Sequence, residues 1–304
     1  MTNEVKKTSG EVDLIALFSV IWQGKWIIAA VTSAFSVVAI VYALTLPNIY
    51  KSEVLLAPIT EEAGLKIPGQ LGGLAALAGV NLAGLGGGDK TELALEIIKS
   101  RDFLGRFIEK HNLYIPIMAA DGWNRADDTL LIDNEIYDTN TKEWVREVKT
   151  PFQPKPSVLE THEEFLKLVS VSKDKITGMV KVSIEYYSPY MAKTWVDELI
   201  KAINAEMRQR DLIEAQRSID YLNNQIELTT ISDVRTMLFS LIEEQTKTLM
   251  LANVRDEYVF KTVDPAVVAE KKAKPARALI VVLAFILGAM ISILGLLIRR
   301  FNLK

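Results

Sequence analysis

The sequence predicts an α+β protein in which two transmembrane helices flank an α/β base domain that carries a long protruding helical hairpin. Three observations predict it. Residues 278–298 form a run of 21 without a charge, bracketed by Arg277 before it and Arg299-Arg300 after it. Residues 26–46 form a second uncharged run of 21, between Lys25 and Pro47. Each run is about 30 Å long as a helix, the thickness of a bilayer's hydrocarbon core. Between the runs, apolar residues alternate at strand period and then recur at helical period over a stretch of about forty residues, 188 to 229.

Two spans put both termini on one side, and they divide the chain into a tail at 1–25, a first span at 26–46, a main domain at 47–277, a second span at 278–298 and a tail at 299–304. The tails are too short to fold alone, so the working body is expected between the anchors. The first apolar run is longer than a signal-peptide core and lacks a small-residue cleavage site, so it reads as an uncleaved anchor. Lys6, Lys7, Lys25, Arg299, Arg300 and Lys304 favour cytoplasmic termini, although Lys271, Lys272, Lys274 and Arg277 crowd the opposite end of the second span.

In chain order, 13–22 (DLIALFSVIW) reads as a short interfacial helix, with Trp22 and Trp26 at headgroup level. Residues 50–58 (YKSEVLLAP) read as a strand entering a sheet. The glycine-rich loop 64–88 carries no charge after Lys66, and it matches neither GxxxxGK[ST] nor a GxGxxG that follows a strand. It is expected to pack near the membrane or a neighbouring subunit rather than to hold phosphate. Residues 91–111 are amphipathic, with Leu93, Ile97, Phe103, Phe107 and Ile108 on the apolar side and a break at Ser100. Ser157 or Thr161 caps a helix to about Leu168. A hairpin follows, in which Val180, Val182, Ile184 and Tyr186 face the core and Met179, Lys181, Ser183 and Glu185 face away.

Ser188-Pro189 then opens the long helix, Ser as cap and Pro in the first turn. The base is assigned to 47–187 and 258–270, and the helical hairpin to 188–257. Val196, Leu199, Ile200, Ile203 and Met207 form a first stripe, expected on the sheet. Leu212, Ala215, Ile219, Leu222 and Ile226 form a second, phase-shifted stripe, the candidate for a coiled-coil or oligomer contact. Thr229 to Asp233 make the tip. Val234, Leu238, Leu241, Leu249 and Ala252 line the returning helix, and 258–263 form a last strand. In the second span, Ala284, Gly288, Ser292 and Gly295 share one face, as small residues do where membrane helices approach closely. That face is the candidate contact for the first span, a neighbouring subunit or a partner protein.

Chemistry is scarce. Net charge is −3, and no basic surface for nucleic acid is implied. There is no cysteine, which excludes disulfides, thiolate zinc sites and a cysteine nucleophile. The only histidines, His111 and His162, lack metal-ligand spacing and are expected at the surface. No catalytic set, cofactor site or metal site is predicted, so the chain reads as a non-enzyme.

Three segments are similar to bacterial polysaccharide co-polymerases, the Wzz-type chain-length determinants of O-antigen and lipopolysaccharide biosynthesis. They are DLIALFSVIWQGKWIIAAV with LPNIYKSEVLLAP, then SVSKDKITGMVKVSIEYYSPYMAKTWVDELIKAIN, then LANVRDEYVFKTVDPAVVAEKKAKPARALIVVLAFILGAM. Gly288-Ala289-Met290 departs from the Gly-Gly-Met of many members. The resemblance implies a multi-pass protein of the bacterial inner membrane with its main domain in the periplasm. It implies a homo-oligomer, often an octameric ring, that sets the length of a lipid-linked polysaccharide without catalysis, beside a Wzy-type polymerase. A related branch carries a cytoplasmic tyrosine kinase, and none is expected in the six residues after the second span. Two rivals stand beside this reading. One is an export co-polymerase for capsule or exopolysaccharide that works with a separate cytoplasmic kinase. The other is a periplasmic sensor that signals to a separate protein.

Overall fold

Ser52, Val54 and Leu56 alternate with Lys51, Glu53 and Leu55, and this period of two builds the strand around which the base forms. The computed structural model describes residues 22, 24–59 and 88–302. The interfacial helix expected at 13–22, apart from Trp22, and the glycine-rich loop expected at 64–88, apart from Gly88, lie outside them. The described residues fall into two units, Ile49–Lys272 and the flanking Met1–Asn48 with Ala273–Lys304.

In the first unit, β1 (Tyr50–Pro58) is followed by α2 (Gly88–Lys99) and α3 (Arg101–Lys110); α1 (Lys25–Thr45) belongs to the other unit. The break falls where Ser100 was expected to make it. Its side chain accepts from the Phe103 N–H at 3.3 Å and caps α3. Leu93 is exposed, contrary to expectation, whereas Ile97 is buried as expected, with Ala94, Leu95 and Ile98 beside it. The apolar run at 93–95 is ambiguous by period, and Leu93 falls just past the edge of the face that packs on the base.

A short helix α4 (Tyr114–Ala119) leads into two small hairpins, β2 (Ala120–Asn124) with β3 (Thr129–Ile132), and β4 (Tyr137–Asp138) with β5 (Glu143–Trp144). Ser157 caps α5 (Val158–Leu168) in a capping box with Glu160. Arg146 fastens the proline-rich approach to that cap: its guanidinium donates to Gln153 O, Pro154 O and Glu160 Oε1 at 2.7–2.8 Å.

Next come β6 (Val169–Lys173) and β7 (Val180–Tyr186), then α6 (Pro189–Leu228), α7 (Ser232–Val254) and β8 (Phe260–Asp264). The sheet has the order β6-β7-β1-β8 and is antiparallel throughout, with Tyr50 opposite Tyr186 and Leu56 opposite Val180. Val180, Val182, Ile184 and Tyr186 are buried as expected, but so is Ser183. Ser183 lies between Ser170 and Glu53 in register, with Lys181 and Glu185 beside it on its own strand. A small side chain in a central strand is covered by its longer neighbours even on the polar face.

Ser188 accepts from the Met191 N–H and Pro189 sits in the first turn of α6, so the long helix starts where its cap sequence placed it. Its first stripe, Val196, Leu199, Ile200, Ile203 and Met207, is buried in the base core. Phe165 of α5 is fully buried there, stacked on Phe107 at 5.9 Å and edge-on to Trp195 at 5.8 Å. Each large side chain so buried contributes about 1.5–3 kcal/mol relative to exposure.

The second unit pairs α1 (Lys25–Thr45) with α8 (Arg277–Asn302). Both are long and apolar enough to cross a membrane. Their large residues, such as Val38, Leu44, Leu283 and Leu287, are exposed, which suits a hydrocarbon surrounding and not water.

Candidate functional site

The paired apolar helices run antiparallel, because each start meets the other's end. Arg277 donates to Ala43 O at 2.9 Å, to Leu46 O at 3.2 Å and to Asn48 Oδ1 at 3.2 Å. The last carbonyls of a helix have no partner of their own, and a cation there also opposes the helix dipole. Arg277 is therefore a clasp across the helix pair as well as a flanking charge. At the opposite end, Leu296 lies against Gly24, where a Cβ would come within 2.3 Å of Leu296 Cδ1.

The small face of α8 divides. At Gly288 a Cβ would stand 3.0 Å from Phe35 Cβ and 3.2 Å from Thr32 Cα. Gly288 and Ser292 are buried and Ala284 is half-buried. Gly295 has nothing within 4 Å and is exposed. So three of the four candidates turn toward α1 and Gly295 does not. At that end of the pair it is Leu296, next to Gly295, that meets α1, at Gly24. The matching small residues of α1, Thr32, Ala39 and Ala43, were missed in the sequence. Their spacing of seven and four was the available signal. The hydroxyls add no bond across the pair: Ser292 donates to Ala289 O and Ser36 to Thr32 O, each within its own helix.

The second candidate set is the distal stripe of α6. Ala215 and Ile226 are buried, and Leu212, Ile219 and Leu222 are half-buried. Leu212 packs at the edge of the base core, and α7 pairs with α6 along the hairpin. The stripe is thus largely covered within the chain. The break between the two stripes is Asp211, which takes hydrogen bonds from Tyr258 Oη at 2.6 Å and Lys90 Nζ at 2.9 Å. On α7, Leu238 and Ala252 are buried as expected, whereas Leu241 is exposed. Phe239, Met250 and Val254 share the side of α7 away from its buried stripe and are more than half exposed. The uncovered apolar surface of the hairpin therefore differs from the surface the sequence pointed to.

The histidines correct a further expectation. His162 is 5% exposed, and its Nε2 lies 3.0 Å from Lys99 O, the last carbonyl of α2. It serves as a C-terminal cap, donating from Nε2 to a carbonyl that lacks a helical partner. Its place at a helix start suggested the surface, but Thr161, His162 and Phe165 face inward together. His111 is half-buried against the Phe107 ring at 4.5 Å. Among the described residues, no group of three or more His, Asp or Glu is placed to hold a metal ion.

An ionic cluster joins α3 to α6. Arg106 pairs with Glu206 at 3.0 Å and with Asp102 at 2.8 Å, and Arg210 pairs with Glu206 at 2.7 Å. The Arg106 bond holds the mostly covered Glu206 carboxyl below its ordinary range against the opposing effect of burial, and Arg210 adds to it. Because the folded-state pKa is depressed, the stabilisation is complete above the ordinary glutamate value and is lost as pH falls through the lower folded value. Glu206→Gln is expected to lower the urea midpoint at pH 7, with the gap to the native chain closing toward pH 3. An equal gap at both pH values would show that this charge cluster does not contribute.

These surfaces define a class: an α+β protein with a helix pair fit to span a bilayer, a base sheet and a helical hairpin, built around contact faces. The chain carries a Wzz domain, matched over residues 10–111 by the family model "Chain length determinant protein", and a GNVR domain, matched over 223–301 by "G-rich domain on putative tyrosine kinase". At its two ends the chain is thus similar to the chain length determinant and G-rich, tyrosine-kinase-associated families. Among solved structures it is similar to a full-length bacterial polysaccharide co-polymerase, at 13% identity and TM-score 0.39, covering 96% of this chain and 100% of that one. It is also similar to a fragment of WzzB, the polysaccharide co-polymerase from Salmonella Typhimurium, at 9% identity and TM-score 0.29, covering 75% of this chain and 100% of the fragment. No curated protein matches the chain.

Proposed function

We propose that this protein is a non-catalytic regulator of polysaccharide chain length, of O-antigen type, acting as an oligomeric scaffold beside a Wzy-type polymerase in the bacterial inner membrane. The match of residues 10–111 to the chain length determinant family carries the reading. The main domain, 47–277, then lies in the periplasm, and both tails lie in the cytoplasm. The partner surface for a second copy is the outer side of the hairpin, while the small face of α8 holds the helix pair together within the membrane. Phe239, Met250 and Val254 support the hairpin surface, because apolar side chains left in water are stabilised by a neighbouring copy.

Deletion of the gene is expected to abolish the modal length of the cell's lipid-linked polysaccharide, seen as a changed ladder on a gel. In the same protein, Phe239→Glu with Met250→Glu is expected to shift the purified full-length chain toward monomer in light scattering. An unchanged ladder on deletion removes the reading.

A second reading has an observation of its own. The GNVR match favours an export co-polymerase for capsule or exopolysaccharide, paired with a separate cytoplasmic tyrosine kinase. Under it, deletion alters the capsule or secreted polymer and leaves the lipid-linked ladder intact.

A further inference from the structure

Three aromatic residues from distant parts of the chain meet at one cleft of the base unit. Tyr50 is the first residue of β1, Trp123 belongs to β2, and Tyr190 is in the first turn of α6. The Tyr50 and Trp123 rings meet edge-on at 5.6 Å, and Trp123 and Tyr190 are 6.2 Å apart at 59°. Arg125 and Glu270 share the lining of this cavity of about 520 Å³. The cavity falls within the size range of ligand sites, roughly 300–1,000 Å³.

The details favour an open platform over ordinary core. Trp123 is held in place by its own hairpin: Nε1–H donates to Asp128 Oδ1 at 2.8 Å, and Asp128 sits at φ 53 in the turn. An aspartate tolerates that left-handed conformation better than most residues. With the indole N–H already bonded, the ring offers only its apolar surface to a ligand. Tyr190 is 50% exposed, although a ring of its size beside two others could have been buried. Among the described residues, Arg125 and Glu270 have no ion pair or side-chain hydrogen bond, so a donor fork and an acceptor pair stand free beside the rings.

We propose that this cleft binds saccharide, one or two pyranose units of a glycan chain. A pyranose ring has a face of C–H groups and an edge of hydroxyls. The C–H face packs on aromatic rings, while the hydroxyls need a few placed donors and acceptors. Arg125 supplies paired donors for neighbouring hydroxyls or for the carboxylate of an acidic sugar. Glu270 accepts from hydroxyls. The identity of the glycan rests on the polysaccharide reading above, whereas the site rests on the cleft.

The test uses the full-length protein in detergent. The probe is oligosaccharide released by mild acid from the producing cell's own lipid-linked polysaccharide. Saturation-transfer NMR is expected to show transfer to the sugar ring protons. Tyr190→Ala is expected to weaken binding roughly fivefold, the size of one lost aromatic contact. Arg125→Ala and Glu270→Gln are expected to weaken it too. Tyr221→Ala, an exposed tyrosine far along α6, should leave it unchanged. Because Tyr190 and Glu270 are exposed, their variants remain informative even if Trp123→Ala does not fold. No transfer to the probe, or equal binding by Tyr190→Ala, overturns the proposal. The same variants in cells separate the two claims. If gene deletion changes the polymer ladder but Tyr190→Ala and Glu270→Gln do not, the cleft fails and the chain-length reading stands. If deletion leaves the ladder unchanged, that reading fails, and the NMR result alone judges the cleft.

Discussion

The Asn204→Ala protein is expected to lose about 3–5 kcal/mol of folding stability, the largest effect of any single polar side chain in the base. Asn204 is 5% exposed in the interior of α6. Its Oδ1 accepts from the backbone N–H groups of Tyr258, Val259 and Phe260 at 3.1, 2.8 and 3.0 Å, and its Nδ2 donates to Phe260 O at 3.1 Å. This is where the chain leaves α7 and enters β8, and the three N–H groups have one shared acceptor. Removing it leaves buried donors without partners, at about 1–3 kcal/mol each, partly offset if water enters. Asn204→Asp is expected to fall between, since it keeps the acceptor but sets a second oxygen against Phe260 O. The measurement is urea unfolding of the full-length chain in detergent, followed by tryptophan fluorescence. A loss under about 1 kcal/mol for Asn204→Ala would mean that water replaces the side chain and that the clasp is dispensable.

Gly288→Leu is expected to part the helix pair while leaving the base folded. Its Cβ would press on Phe35 Cβ at 3.0 Å and on Thr32 Cα at 3.2 Å. Phe35 Cβ and Thr32 Cα are both fixed to the α1 backbone and yield only if the helices separate. Lipid tails are as apolar as leucine, so insertion should be unaffected, and the loss is confined to helix packing, about 1–2 kcal/mol or less. Cross-linking between cysteines introduced on α1 and α8 should fall sharply, with no background because the chain has none of its own. Under the proposed function, polymer length should shift as well. Two controls should be silent: Leu287→Ile, on the exposed side, and Gly295→Leu, which meets nothing within 4 Å. If Gly288→Leu cross-links normally and keeps the native ladder at normal abundance, the small face is merely the composition of a membrane helix.

The two predictions separate what could be read in the chain from what could not. The α8 glycines were visible as spacing, but spacing could not rank Gly288 above Gly295. Asn204 was passed over, although a weak helix former among Ile200, Ile203 and Met207 was a signal that a buried polar group had a partner elsewhere. The Arg277 clasp was read as a flanking charge because its acceptors, Ala43 and Leu46, lie more than two hundred residues away.

The sequence by itself determined the local elements. Ser100, Ser157 and Ser188 set helix starts by capping their own next turn, and β1 and β7 followed from alternation. Two uncharged runs were enough for two helices that can span a bilayer. Each of these depends on residues a few positions apart, and the chain's own period records that. Only the tertiary structure decided which face meets which. It turned the distal stripe of α6 inward, exposed Phe239 and Leu241, buried His162 against α2, and brought Tyr50, Trp123 and Tyr190 to one cleft. Burial and partnership belong to pairs of segments, and one segment's pattern shows that a face is apolar without showing what covers it.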